Sequence, residues 1–265
     1  MNSAILKFWE NEASDKPEST GHQLFFRNIE IAEVCNAIFK HCKVLDAGCG
    51  NGYVLKEVHR VCPNVELYGI DFSPKMIKNA KKLMNNCAKF RVADFRKLPY
   101  PDNYFNIIYT VRSLINLETD KEQLDALKEF RRVLSPSGII ILVEISQEGF
   151  DNTNNFLENI GLNKLKHRWH NKFFSNKLEA KMEKLFLVYK RYYPVTSFVK
   201  YTLESLLQGE KEGGNKSYRS FGWITNIISV FTGFFDGIFY NKPFGKHTTY
   251  FLLKEEPNIN TPGGI

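Results

Sequence analysis

"VLDAGCGNG", residues 44–52, is the stretch on which the fold turns: an apolar run ends on a carboxylate, Asp46, and opens into glycines at 48, 50 and 52. Glycines at the carboxyl end of a buried strand let a ligand come close to backbone N–H groups. The dinucleotide fingerprint GxGxxG needs its third glycine at position 53, and the chain has Tyr53 there. Asp46, two residues ahead of Gly48, would repel a pyrophosphate. A ligand carrying a cationic group suits this turn better.

Outward from that turn, strand and helix signals alternate over residues 43–143, the pattern of βαβ units in a mostly parallel sheet. "KVLDAG" predicts a first strand, "GYVLKEVHRV" a helix and "VELYGID" a second strand. "SPKMIKNAKKLM" opens a helix with Ser73 as N-cap and Pro74 at its first position. "AKFRVAD" and "YFNIIYT" predict strands three and four. Leu124, Leu127, Phe130 and Leu134 share a helical face, and the wholly apolar "GIIILVEIS" predicts a strand buried on both sides. The rhythm then breaks in a polar stretch, "QEGFDNTNN", and resumes with Ser175 capping a short helix, a sixth strand "LFLVYK" and a last strand "TTYFLLK". The expectation is an α/β fold, a Rossmann-like seven-stranded mostly parallel sheet with helices on both faces. Its predicted parts are an N-terminal helical segment (1–42), the sheet domain (43–190 and 248–256), a helical cap inserted between the last two strands (191–247) and a flexible tail (257–265).

The five cysteines contain no CxxC pair, which speaks against a disulfide framework and a structural zinc site. The first 30 residues lack a basic stretch leading into an apolar run, so a cytoplasmic protein is expected. Lys and Arg number 20 against 19 Asp and Glu over residues 1–150, and 16 against 10 thereafter. That asymmetry suits an anionic partner, although solvated lysines give the same imbalance. "FGWITNIISVFTGFFDGIFY" puts six large apolar residues on one helical face, but Asn226 and Asp236 would be costly in hydrocarbon. A cap helix is preferred over a membrane-surface helix, and no stable membrane insertion is expected.

"VLDAGCGNG" resembles the first motif of the class I methyltransferases that use S-adenosylmethionine, and the likeness extends over residues 43–146. The resemblance implies that Asp46 holds the ligand's amino group, directly or through water, while Ala47, Gly48, Gly50 and Gly52 make room for its aminoacyl and ribose parts. It implies further that Asp71 takes the ribose hydroxyls, that Phe72 and Met76 lie beside the adenine, and that Asp94, with Ala93 and Phe95 beside it, meets the adenine amino group. Thr110 and Val111 would lie under the methionine moiety. "RSLINL" and the later triplet Trp169-His170-Asn171 are similar to a bacterial subgroup of small-molecule methyltransferases associated with capsule and surface-polysaccharide pathways. Four motifs in order, each at the carboxyl end of a strand, make the cofactor assignment specific.

Methyl transfer to a hydroxyl needs an aligned acceptor and removal of a proton. A histidine takes a proton near neutrality, which makes His170 the first candidate base and Glu144, at the end of the fifth strand, the second. Arg112, His167, Arg168, Trp169, Asn171, Tyr192 and Tyr193 are candidate acceptor contacts, with Lys216 and Arg219 in the cap. Phe8, Trp9 and Arg27 are candidates to close over the cofactor, Arg27 facing the methionine carboxylate. An amphipathic first helix packed on the sheet is the equal alternative. The reading is therefore an O-methyltransferase for a small anionic acceptor, requiring no metal. RNA or N-methylation, or a non-catalytic cofactor-binding or membrane-surface role, stays open. No RNA-binding module or long basic run is present, so nucleic acid is not expected as partner.

Overall fold

The computed structural model describes residues 3–14, 24–39, 41–193 and 247–254, with the side chains of 24–28 left out. Of the expected cap insertion (191–247), residues 191–192 and 247 belong to strands; residues 194–246, with Lys216 and Arg219, and the expected tail lie outside the described residues, as does the side chain of Arg27.

Seven strands form one sheet: β1 (Lys43–Ala47), β2 (Glu66–Asp71), β3 (Lys89–Val92), β4 (Phe105–Val111), β5 (Leu134–Ile145), β6 (Leu187–Tyr192) and β7 (His247–Leu253), in the order β3-β2-β1-β4-β5-β7-β6. The first five run parallel, and β7 is antiparallel to both β5 and β6. Strand order reverses between β1 and β4, the switch point at which such sheets open a crevice.

Alternation along the strands decides the layers. In β5, Ile140 and Leu142 face one core with Phe130 and Leu178, while Ile141 and Val143 face the other with Leu55 and Ile77. Helix α5 (Asp120–Val133) and α7 (Asn176–Met182) cover the first face; α2 (Leu24–Asn36), α3 (Tyr53–Val61) and α4 (Pro74–Met84) cover the second. Ser73 caps α4 by accepting from the Met76 N–H, as its position before Pro74 predicts.

The polar stretch after β5 differs from the sequence reading. It forms α6 (Gln147–Asn159), capped by Ser146, whose hydroxyl accepts from the Gly149 N–H. Phe150, Thr153 and Leu157, three to four residues apart, supply its buried side, a stripe too thin among five Asn and Asp residues to stand out.

Gly52 caps α3 at φ +81°, and a Cβ there would lie 3.0 Å from the Ala80 Cβ on α4. Its glycine serves the α3–α4 approach. Gly52→Ala is expected to cost about 1–2 kcal/mol for the left-handed backbone alone, read as a lower unfolding midpoint.

Candidate active site

The carboxyl ends of β1, β2 and β4 open onto a cleft. Gly48, Gly50, Asp71, Phe72, Met76, Phe95, Val111, Arg112, Ser113 and Asn116 line it, and Trp9 closes it from above. Gly48 sits at φ +87°, and a Cβ on it would meet the Ser113 Oγ at 2.4 Å. Only glycine lets the β1 turn and the β4 loop cross there.

Asp71 accepts from the Gly50 N–H at 3.0 Å and from the Ser73 N–H at 2.9 Å. Burial pushes its carboxyl up to about 6 against those two donors, with Glu10 adding to the rise. Asp46 lies deeper, 2% exposed, with an Oδ2 that has no hydrogen-bond partner. Burial pushes it up to about 8, opposed by the Tyr109 hydroxyl and reinforced by Asp71. A cation brought against this buried acid would draw it to the carboxylate.

Helix α1 (Ser3–Glu12) bridges the two halves of the cleft. Its Trp9 Nε1 donates to Asn116 Oδ1 at 3.0 Å, and Glu10 accepts from the Ser73 hydroxyl and, at 3.2 Å, from the Lys75 N–H. Phe8 lies tilted over the His170 ring, centroids 4.4 Å apart, with Trp9 and Trp169 edge-on to the same imidazole. His170 is 6% exposed and its Nδ1 has no partner. Burial, with Arg168 and His167 nearby, pushes its pKa down to about 4, so the ring is neutral at cellular pH.

The loop after β4 carries the cleft's other wall. Arg112 has φ +52°, and its Nε lies 3.0 Å from Glu30 Oε1 on α2, a carboxylate 2% exposed. Glu144 is wholly buried beneath this loop and accepts from the Thr110 hydroxyl at 2.7 Å and from the Ser113 and Leu114 N–H groups at 3.0 Å each. It presents no free oxygen to the cleft, although burial pushes its carboxyl up to about 7 against these donors.

Trp9, Gly48, Gly50, Asp71, Phe72, Met76, Phe95, Val111 and Arg112 thus meet at the cleft; Asp46, Ala47, Gly52, Ala93, Asp94, Thr110 and His170 are not among its lining residues. The Asp94 carboxylate is taken up by Arg96, which bonds it through Nε at 3.0 Å and Nη2 at 2.6 Å. The Thr110 hydroxyl is committed to Glu144. His167, Arg168 and Trp169 are exposed next to His170, and Asn171 is half-buried. Tyr192 ends β6 and Tyr193 follows it, separated from β4 by β5 and β7 and hence by about 14 Å at ordinary strand spacing. Tyr193 is 4% exposed and hydrogen-bonds Thr249, which gives it a packing role. Sequence reasoning missed Ser113, Asn116, Glu10 and Glu30. Asn116 alone gave a signal, as the polar residue inside "LINL".

Comparison with known proteins bears on the family and the fold. The family described as "Methyltransferase domain" matches residues 38–211. An uncharacterized methyltransferase of Schizosaccharomyces pombe is 32% identical over 113 residues, 38% of this chain and 39% of that protein. A demethylmenaquinone methyltransferase of Thermotoga maritima is 34% identical over 103 residues, 39% of this chain and 43% of its own length. The chain therefore spans less than half the length of these curated relatives. Among solved structures, the complex between the Haloferax volcanii Trm112 methyltransferase activator and the putative methyltransferase aligns with a TM-score of 0.60 at 18% identity, covering 96% of this chain and 100% of that one. A Pyrococcus horikoshii protein aligns with a TM-score of 0.57 at 16% identity, again over 96% of this chain and 100% of that one. At such identities the likeness is one of fold. No helix among the described residues is long and apolar enough to cross a membrane.

Proposed function

We propose, from the premise that this chain belongs to the methyltransferase-domain family and takes S-adenosylmethionine as cofactor, that it methylates an oxygen on a small polar acceptor. The observation that carries this reading is the cleft itself, with Asp71 and two glycines on its floor and His170, neutral and with a free Nδ1, packed against its Trp9 roof.

When bound, the cofactor supplies a methyl group already activated by a sulfonium. Asp71 would hold the ribose hydroxyls, Phe72, Met76 and Phe95 would flank the adenine, and the orphaned Asp46 oxygen would face the amino group, directly or through water. Arg112 lies where a carboxylate of the methionine moiety or an anionic acceptor would be met. His170 accepts the acceptor's proton, while Phe8 and Trp9 keep water from the imidazole. Glu144, whose oxygens already accept from Thr110 and the β4 loop, is not used as a base here. Arg168 beside His170, together with the C-terminal charge excess, supports a phosphorylated or nucleotide-linked acceptor. The likeness of "RSLINL" and Trp169-His170-Asn171 supports a place in capsule or surface-polysaccharide synthesis.

A second reading rests on the exposed rings. Trp169 is 65% exposed beside Phe8, and such a ledge suits a planar aromatic acceptor. The relative named as a demethylmenaquinone methyltransferase points the same way. Release of S-adenosylhomocysteine against sugar phosphates, nucleotide-linked sugars, quinols and RNA separates these readings. Turnover confined to RNA, or silence with cofactor bound, sinks both.

Proton linkage gives an independent test of Asp46. In the free protein its carboxyl is protonated below about pH 8. A bound ammonium favours the carboxylate, so binding expels a proton. Affinity for S-adenosylhomocysteine is then expected to rise with pH between 6 and 8, by at most about tenfold per pH unit, and to level off above. Calorimetry in buffers of different ionisation enthalpy counts the released proton, and a flat profile would remove Asp46 from the amino-group role.

A further inference from the structure

Four donors converge on the Glu144 carboxylate. Thr110 Oγ1, Ser113 N and Leu114 N meet Oε1 at 2.7, 3.0 and 3.0 Å, and Ile115 N approaches Oε2 at 3.4 Å. Three successive backbone N–H groups turned inward on one point form a concavity for an anion, and here the protein fills it with its own side chain. The segment so held contains the cleft-lining Ser113 and Asn116 and follows Arg112, whose left-handed φ of +52° is unusual for a residue with a Cβ. Such a backbone persists only where its surroundings fix it.

Asn116 carries the constraint onward. Its Nδ2 donates to the carbonyls of Arg112 and Ser113 at 3.1 Å each, and its Oδ1 accepts from Trp9. Ser113 Oγ in turn lies 3.2 Å from the Gly48 carbonyl. One buried carboxylate thereby sets the distance between the β1 turn, the β4 loop and the α1 roof.

We propose that Glu144 is a positioning residue: through the N–H groups of residues 113–115 it holds the β4 loop in the one arrangement that places Arg112 and Asn116 on the cleft and docks Trp9 above it. The inference rests on the cofactor reading only for its functional consequence. Its structural content is legible without ligand.

The experiment is Glu144→Gln in the full chain. The amide keeps the volume, but its NH2 must replace one carboxylate oxygen and so meets a backbone N–H, that of Ile115 when the amide oxygen keeps the other three donors. The Trp9 indole N–H resonance, assigned by its loss in Trp9→Phe, is expected to shift toward the value of a solvent-exposed indole while the rest of the spectrum stays dispersed. Affinity for S-adenosylhomocysteine should fall by about tenfold or more, the effect of misplacing a site by around an ångström. An unmoved indole resonance with unchanged affinity overturns the proposal. Should Glu144→Gln fail to fold, Glu144→Asp withdraws the carboxylate from the N–H groups of residues 113–115 by one methylene, and an unmoved Trp9 resonance in that variant overturns the proposal equally. If the wild-type protein does not bind S-adenosylhomocysteine at all, the cofactor reading falls, and the indole resonance still decides the role of Glu144.

Discussion

His170→Phe is expected to lower kcat by about 10²- to 10⁴-fold, the range of a lost general base, with cofactor affinity changed by less than about threefold. Phenylalanine keeps a ring between Phe8, Trp9 and Trp169, so the α1 roof stays packed and only the lone pair is lost. His170→Ala would lose the ring as well and mix chemistry with cavity formation. The imidazole's lowered pKa, about 4, means that the free base persists well below neutrality. Activity of the wild type should therefore show no acid limb from this group above about pH 5. Full activity in His170→Phe would end the base assignment and leave proton removal to solvent or to an acceptor already ionised.

Asp71→Ala should weaken S-adenosylhomocysteine binding by about 100-fold. The carboxylate would make two hydrogen bonds to a ribose diol, each worth about 1.5–3 kcal/mol when one partner is charged, and a factor of 100 needs only about 2.7 kcal/mol. Part of the loss is indirect, because the Gly50 and Ser73 N–H groups now bonded to Asp71 lose their acceptor and the turn they fix is loosened. Asp71→Asn retains one acceptor oxygen and should fall between wild type and Asp71→Ala. Calorimetric titration of both variants gives the order. Affinities equal to wild type would show that the cleft does not bind a ribose through β2.

Much of this architecture could be read before the structure because local rules carry it. The strands announce themselves by alternating or continuous apolar runs, Ser73-Pro74 by the stereochemistry of a helix start, and the β1 turn by glycines with positive φ. What could not be read depends on partners far apart in the chain. Two residues after Asp94, Arg96 folds back onto its carboxylate, a pairing that spacing alone does not reveal. Glu144 looks like a free acid at a strand end until the β4 loop, some 30 residues earlier, is seen to close over it. Tyr193 carries a polar tip that a linear reading assigns to solvent or substrate, whereas Thr249, 56 residues later, satisfies it inside the core. Helix α6 was missed for the opposite reason, since its cap is plain but its buried stripe holds few large side chains.

Helix α1 has a thermodynamic character of its own. Ten residues are too few to stay helical alone in water, so this segment owes its form to docking. Its docking partners are distributed over Ser73, Lys75, Asn116 and His170, and among its own residues only Ile5 is fully buried. Its amides belong at the low end of the protein's opening free energies, exchanging with deuterium long before those of β1 or β5. Any ligand that fills the cleft beneath Trp9 should slow that exchange by the share of its binding energy that passes through the helix. Deuterium uptake over residues 3–12 then measures occupancy and closure together, with no need to know the acceptor.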